Sequence, residues 1–182
     1  HPPAPPIDAV LLNSPWLSLH RSQPLKASAN ATALSLGGLA PDLGLGMLGP
    51  QYGQFLHRTY GGEWDFSEEW KVLHEMPARA GFLKSVFALQ AEMRSGLGID
   101  VPILLCTSGK AGHPVHPTPE QLANTDVVLN PADMWRLSGR LGSDVTTRIF
   151  PGAVHDISLS RREVREDYLR TAVEWVAGQA GS

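Results

Sequence analysis

Ile149-Phe150-Pro151-Gly152-Ala153-Val154-His155-Asp156-Ile157 is the stretch on which the reading of this chain turns. Ahead of it, Val145 to Phe150 has the alternation of a β-strand beside a sheet edge, and Pro151-Gly152 turns the chain. Behind it, Arg161 to Ala177 carries Val164, Tyr168, Leu169, Ala172, Val173 and Val176 on one helical face. A histidine just past a strand and a Pro-Gly turn, ahead of a terminal helix, sits at the carboxyl edge of a sheet. Open α/β sheets place their sites along that edge. Such a histidine serves as general base where a carboxylate fixes its tautomer. Asp126 is the leading partner, since it follows another strand by a loop and precedes His155 by 29 residues. A surface histidine on a loop is the plainer alternative.

Two further strands lie upstream. Val101 to Cys106 (VPILLC) and Ile7 to Leu12 are short apolar runs of the kind that suits a strand covered on both faces. Asn13-Ser14-Pro15 stops the earlier one. Ala132 to Leu141 reads as a short helix closed by Gly142, and Thr107 to Asn124 as a loop. Strand, helix, strand, helix with short turns implies a parallel sheet of α/β class. Between the first two strands, Gln51 to Tyr60 reads as a helix broken by Gly61-Gly62. Ala78 to Ser95 has helical rhythm at Phe82, Val86, Leu89 and Met93, ended by Gly96 and Gly98. Leu25 to Leu48 is small, flexible and apolar, and within it Leu34 to Leu48, with its glycines, reads either as a mobile flap over a lipid entry or as a poorly ordered linker. His1 to Pro6 reads as an extended linker.

Composition narrows the function classes. The chain has 182 residues, 42% of them apolar, enough to fill the core of one domain. Fifteen basic and 18 acidic side chains give a net charge of -3, with no footprint for nucleic acid or an anionic membrane surface. No stretch reaches the roughly 18 unbroken apolar residues of a transmembrane helix. The single cysteine, Cys106, excludes an internal disulfide framework and a Cys-rich zinc site, and its apolar run implies a buried thiol. His113 and His116 have a spacing that metal sites use. No third ligand with metal-site spacing lies near, and Pro114 and Pro117 make the segment a loop. No Gly-rich loop joins a strand to a helix, so no cofactor and no metal are expected. The chain opens on His1 with no signal peptide in its first residues, which suggests a trimmed start and a cytoplasmic protein.

Four segments in order carry a resemblance: Asn13-Ser14-Pro15-Trp16, Tyr60-Gly-Gly-Glu-Trp-Asp-Phe66, Thr125-Asp-Val-Val-Leu129 and Phe150-Pro-Gly-Ala-Val-His-Asp156. Together, from Ile7 to Ala177, they resemble the C-terminal two-thirds of an α/β-hydrolase, in the group of monoacylglycerol lipases and serine aminopeptidase-like hydrolases. The resemblance implies the last strands of a parallel hydrolase sheet with an inserted helical lid. It divides the chain into a linker and first core strand (1–16), a lid (17–98) and a C-terminal core (99–182). The family's triad order is Ser, Asp, His, which makes Asp126 the acid and His155 the base of a serine hydrolase acting on carboxylic esters or amides. Trp16, Trp64 and Phe66 then line a pocket for an apolar acyl group. The plainer reading makes Trp64, Phe66 and Trp70 the lid's own small core.

One part of the pattern is absent. No G-x-S-x-G elbow occurs. Ser35 follows a small polar stretch rather than a strand, Ser14 is followed by Pro15 and so lacks the oxyanion-hole N–H, and Ser108 lies in the acid's own loop. The nucleophile and oxyanion hole are therefore expected upstream of His1. The chain alone should be inactive and should assemble with an N-terminal complementing segment or with itself through an open strand edge. A non-catalytic module binding a small apolar ligand or a partner protein is the alternative. Asp133 reads as a first-turn helix residue, Asp100 as a turn residue, and Asp156 as an anchor of its loop through the backbone.

Overall fold

The structure is a computed structural model describing residues 7–20 and 23–179; the proline-rich stretch 1–6, read above as a linker, lies outside them. In chain order the elements are β1 (Val10–Asn13), α1 (Gln23–Leu36), β2 (Gly44–Leu48), α2 (Gln51–Leu56), β3 (Met76–Arg79), α3 (Ala80–Ser95), β4 (Ile103–Ser108), α4 (Pro119–Asn124), α5 (Pro131–Leu137), β5 (Val145–Phe150) and α6 (Arg162–Gln179). β1, β4 and β5 form one parallel sheet in the order β1-β4-β5, while β2 and β3 pair antiparallel in a separate ribbon.

β4 organises the molecule. All six of its residues are buried, and its side chains alternate between two cores. Ile103 and Leu105 pack with Leu17, Met93, Met134 and Leu137, reached from α3 and α5. Leu104 and Cys106 pack with Phe150, Ile157, Val164 and Tyr168, reached from α6. A strand sandwiched this way requires apolar residues at every position, which is why its sequence shows no polar alternation. Burial also pushes the Cys106 thiol up to about 11, against the pull of Arg148.

The strands begin two or three residues later than the apolar runs do. Pro102 has no N–H to give the ladder, and its carbonyl accepts from Val10 at 2.9 Å, so pairing starts at Val10 and Ile103. Leu34 to Leu48, read above as flap or linker, contains the end of helix α1 and the whole of strand β2. Thr107 to Asn124 is not all loop. Thr118 and Gln121 form a capping box with Pro119 in the first turn, and α4 starts there. The terminal helix also differs from its one-faced reading. Val164 and Tyr168 are buried, but Leu169, Val173 and Val176 are 50%, 68% and 48% exposed. Among the described residues the parallel sheet has three strands, and the part of the helix's apolar face at Val164 and Tyr168 is what the core covers.

This packing has a measurable consequence. Leu105→Ala should lower unfolding stability by about 2–5 kcal/mol, whereas Val173→Ala should change it by less than about 0.5 kcal/mol in urea denaturation. Equal losses at the two positions would contradict the exposure of α6.

Candidate active site

Asp126 is placed by its own backbone. Its N–H donates to the Lys110 carbonyl at 2.9 Å and its carbonyl accepts from the Gly112 N–H at 2.8 Å, a short parallel bridge back to the loop after β4. Gly112 permits this approach, since a Cβ there would stand 2.4 Å from Thr125 Oγ1 and 2.7 Å from Val127 Cγ1. The Asp126 side chain is 0% exposed. A buried carboxylate persists only where hydrogen bonds replace water. Its Oδ1 accepts from the N–H groups of Val128 at 2.9 Å and Leu129 at 2.7 Å, and its Oδ2 lies 3.0 Å from His155 Nδ1. An ionised carboxylate only accepts, so the shared proton sits on Nδ1, and Nε2 is the ring nitrogen left to exchange protons.

The loop carrying His155 is fixed from both sides. Gly152, at φ +76°, completes the Pro151-Gly152 turn. From the end of β1, Asn13 Nδ2 donates to Asp156 Oδ1 at 2.7 Å while Asn13 Oδ1 accepts from the Ile157 N–H at 3.3 Å. The same Asp156 oxygen accepts from the N–H and hydroxyl of Ser158. From the inserted segment, the Tyr52 hydroxyl accepts from the Asp156 N–H at 2.9 Å, and its ring meets His155 edge-on at 5.9 Å. Burial raises the Tyr52 phenol far above its ordinary range, so it stays neutral. The Lys71 ammonium lies 5.1 Å over that ring and 5.2 Å over Phe66; burial lowers its pKa, against the charge of Asp156.

His155 opens on a cavity of about 560 Å³ whose walls include Trp16, Met47, Tyr52, Phe82, Val128 and Leu129. The volume suits a small molecule, and the walls are largely apolar. Of the aromatic residues proposed as its lining, Trp16 is in place and stands 6.1 Å from the Phe82 ring. Trp64 and Phe66 are not. The Trp64 N–H donates to the Leu159 carbonyl at 3.1 Å with Arg165 stacked over its ring, and Phe66 packs edge-on against His57 at 4.7 Å. These two rings join the inserted segment to the core and to itself. Trp70 is 91% exposed.

Most of the other candidates have structural partners. Ser108 Oγ donates to the Ala153 carbonyl at 2.7 Å, and Ser35 Oγ, exposed, to the Ala31 carbonyl within α1. Ser14, at φ +46°, is buried at the end of β1 with its hydroxyl unpaired. No seryl hydroxyl among the described residues makes a hydrogen bond to His155. Asp133 pairs with Arg136 in α5, and His113 Nδ1 accepts from the amides of Val115 and His116, holding their loop. Sequence reading missed Asn13 and Tyr52 as partners of the histidine loop. Asn13 had a signal, a polar residue at the carboxyl end of a strand; Tyr52, one aromatic in a short helix, had none.

A parallel sheet with Asp126 after one strand, His155 after the next and a helical segment between the first two strands is the α/β-hydrolase fold in part. One solved structure that it resembles is that of the Paleococcus ferrophilus monoacylglycerol lipase, with a TM-score of 0.65 and 22% sequence identity over 95% of this chain and 60% of that one. The chain thus spans 60% of that lipase's length. No protein-family model and no curated protein matches the sequence.

The geometry separates two substitutions of the acid. Asp126→Asn keeps an oxygen for the Val128 and Leu129 amides but turns N–H toward His155, reversing the tautomer at a small cost in stability. Asp126→Ala orphans both amides and should cost about 2–5 kcal/mol more in urea denaturation. Equal stability of the two variants would show that the amides do not depend on the carboxylate.

Proposed function

We propose that this chain is the acid- and base-bearing part of a serine hydrolase that cleaves carboxylic esters, or amides, by acyl transfer. The observation that carries the reading is the 3.0 Å contact between Asp126 and His155 beside an apolar cavity at the carboxyl edge of the sheet. Residues 17–98 act as a lid over that cavity, and residues 99–182 form the core that holds the pair. Two features support a nucleophile lying on a segment ahead of β1. Among the described residues β1 pairs with β4 alone, leaving its other edge for one more strand, and α6 leaves an apolar row uncovered.

In this reading His155 Nε2 takes the proton of the serine hydroxyl as its oxygen attacks the ester carbonyl carbon. Asp126 holds the Nδ1–H and stabilises the imidazolium that forms. Collapse of the tetrahedral intermediate breaks the bond to the leaving alkoxide, which takes the proton from Nε2. Water then repeats the sequence on the acyl-enzyme, returning the serine and releasing the acid. Backbone N–H groups near the nucleophile carry the oxyanion. The apolar walls at Trp16, Met47 and Phe82 favour an aliphatic acyl part.

In the full-length gene product, His155→Ala should lower kcat/KM for a p-nitrophenyl alkanoate by about a thousandfold or more, with binding of the free alkanoate changed less than about threefold. Retained turnover would overturn the hydrolase reading. Alkanoate binding without turnover in the unsubstituted protein would establish the alternative, a hydrolase-like module that binds apolar ligands.

A further inference from the structure

We infer that Tyr52 is a positioning residue for His155, so that seating of the lid and placement of the base are one event. Meaning for catalysis rests on the hydrolase reading; the geometry does not. The holds on the histidine loop divide by origin. Asn13 and Ser160 act from the core, on Asp156, Ile157 and Val154. Trp64 and Tyr52 act from the lid, Trp64 on the Leu159 carbonyl and Tyr52 next to the base itself.

Tyr52 makes two contacts that act on different freedoms of His155. Its hydroxyl accepts the N–H of Asp156, the peptide that follows His155, and so fixes the backbone from which the imidazole hangs. Its ring stands edge-on to the imidazole at an interplanar angle of 78° and bounds the imidazole on that side. Asp156 contributes its carboxylate to Asn13 and Ser158, so its N–H has the phenol as its partner. Lys71 covers the Tyr52 ring from a second lid segment, which leaves the ring little room to turn. Tyr52 also lines the cavity, so a ligand that moves the short helix α2 moves the base's support with it.

Native-state amide exchange tests the coupling in the unsubstituted chain. The Asp156 amide should open together with the lid amide of His57, which donates to the Gly53 carbonyl, their exchange rates agreeing within about threefold after intrinsic correction. Asp156 opening about tenfold or more faster than His57 would overturn the inference. Tyr52→Phe tests the hydroxyl: the His155 Nδ1 proton should exchange with water about tenfold faster while β4 amide protection is unchanged. An unchanged Nδ1 proton, or a parallel loss of protection in β4, would overturn it. Neither readout uses turnover. Ester hydrolysis and its response to His155→Ala judge the hydrolase reading separately, so either idea fails without the other.

Discussion

A carboxylate buried without solvent contact needs hydrogen-bond donors in place of water, and Asp126 imposes that requirement on its surroundings. Two amides and a histidine supply the donors, while a strand-like bridge holds the Asp126 backbone. Each partner constrains more chain. The amides of Val128 and Leu129 set the turn that leads into α5, where Asn130 caps the helix through the Ala132 N–H and Pro131 occupies the first turn. The bridge fixes Lys110 to Gly112 and excludes a side chain at Gly112. The histidine fixes the loop after β5. One hydrogen-bonded carboxylate thus ties together the ends of both later strands.

The sheet supplies the rigidity that this requires. β4 lies between β1 and β5 and feeds side chains to cores on both faces, so the loop that carries Asp126 leaves an element that cannot shift. Parallel pairing puts the carboxyl ends of all three strands on one edge. Asn13, Asp126 and His155 meet there although they are far apart in sequence. The segment between β1 and β4 closes over the same edge. Its anchors are specific: Trp64 to the Leu159 carbonyl, Arg165 paired with Glu63, and the Gln90 amide donating to the Trp16 carbonyl at 3.0 Å.

Much of this was legible in the sequence, for a physical reason. A strand covered on both faces must be apolar at consecutive positions, so Ile103 to Cys106 announced itself, and a Pro-Gly turn followed by a histidine marked the loop after β5. The order of short motifs suggested the fold that the structure has. What was hidden depended on long-range contacts. Whether Trp64 faces a ligand or the core is decided by the Leu159 carbonyl, 95 residues away. Tyr52 stands beside His155 only because the inserted segment folds back over the sheet. The apolar row at Leu169, Val173 and Val176 reads in sequence like the buried one at Val164 and Tyr168, and only packing against the core tells them apart. The capping box at Thr118 and Gln121 is present in the sequence, but the prolines and glycines around it give the stretch the composition of a loop.

The proposed role of His155 is that of a base held ready by a buried acid, as against a loop histidine that happens to lie near one. The protonation of its two ring nitrogens decides this, and long-range proton–nitrogen correlation NMR at neutral pH reads it directly. In the neutral imidazole the proton is expected on Nδ1 with Nε2 bare, reversed in Asp126→Asn. A mixture of tautomers, or a proton residing on Nε2 in the unsubstituted chain, would contradict it.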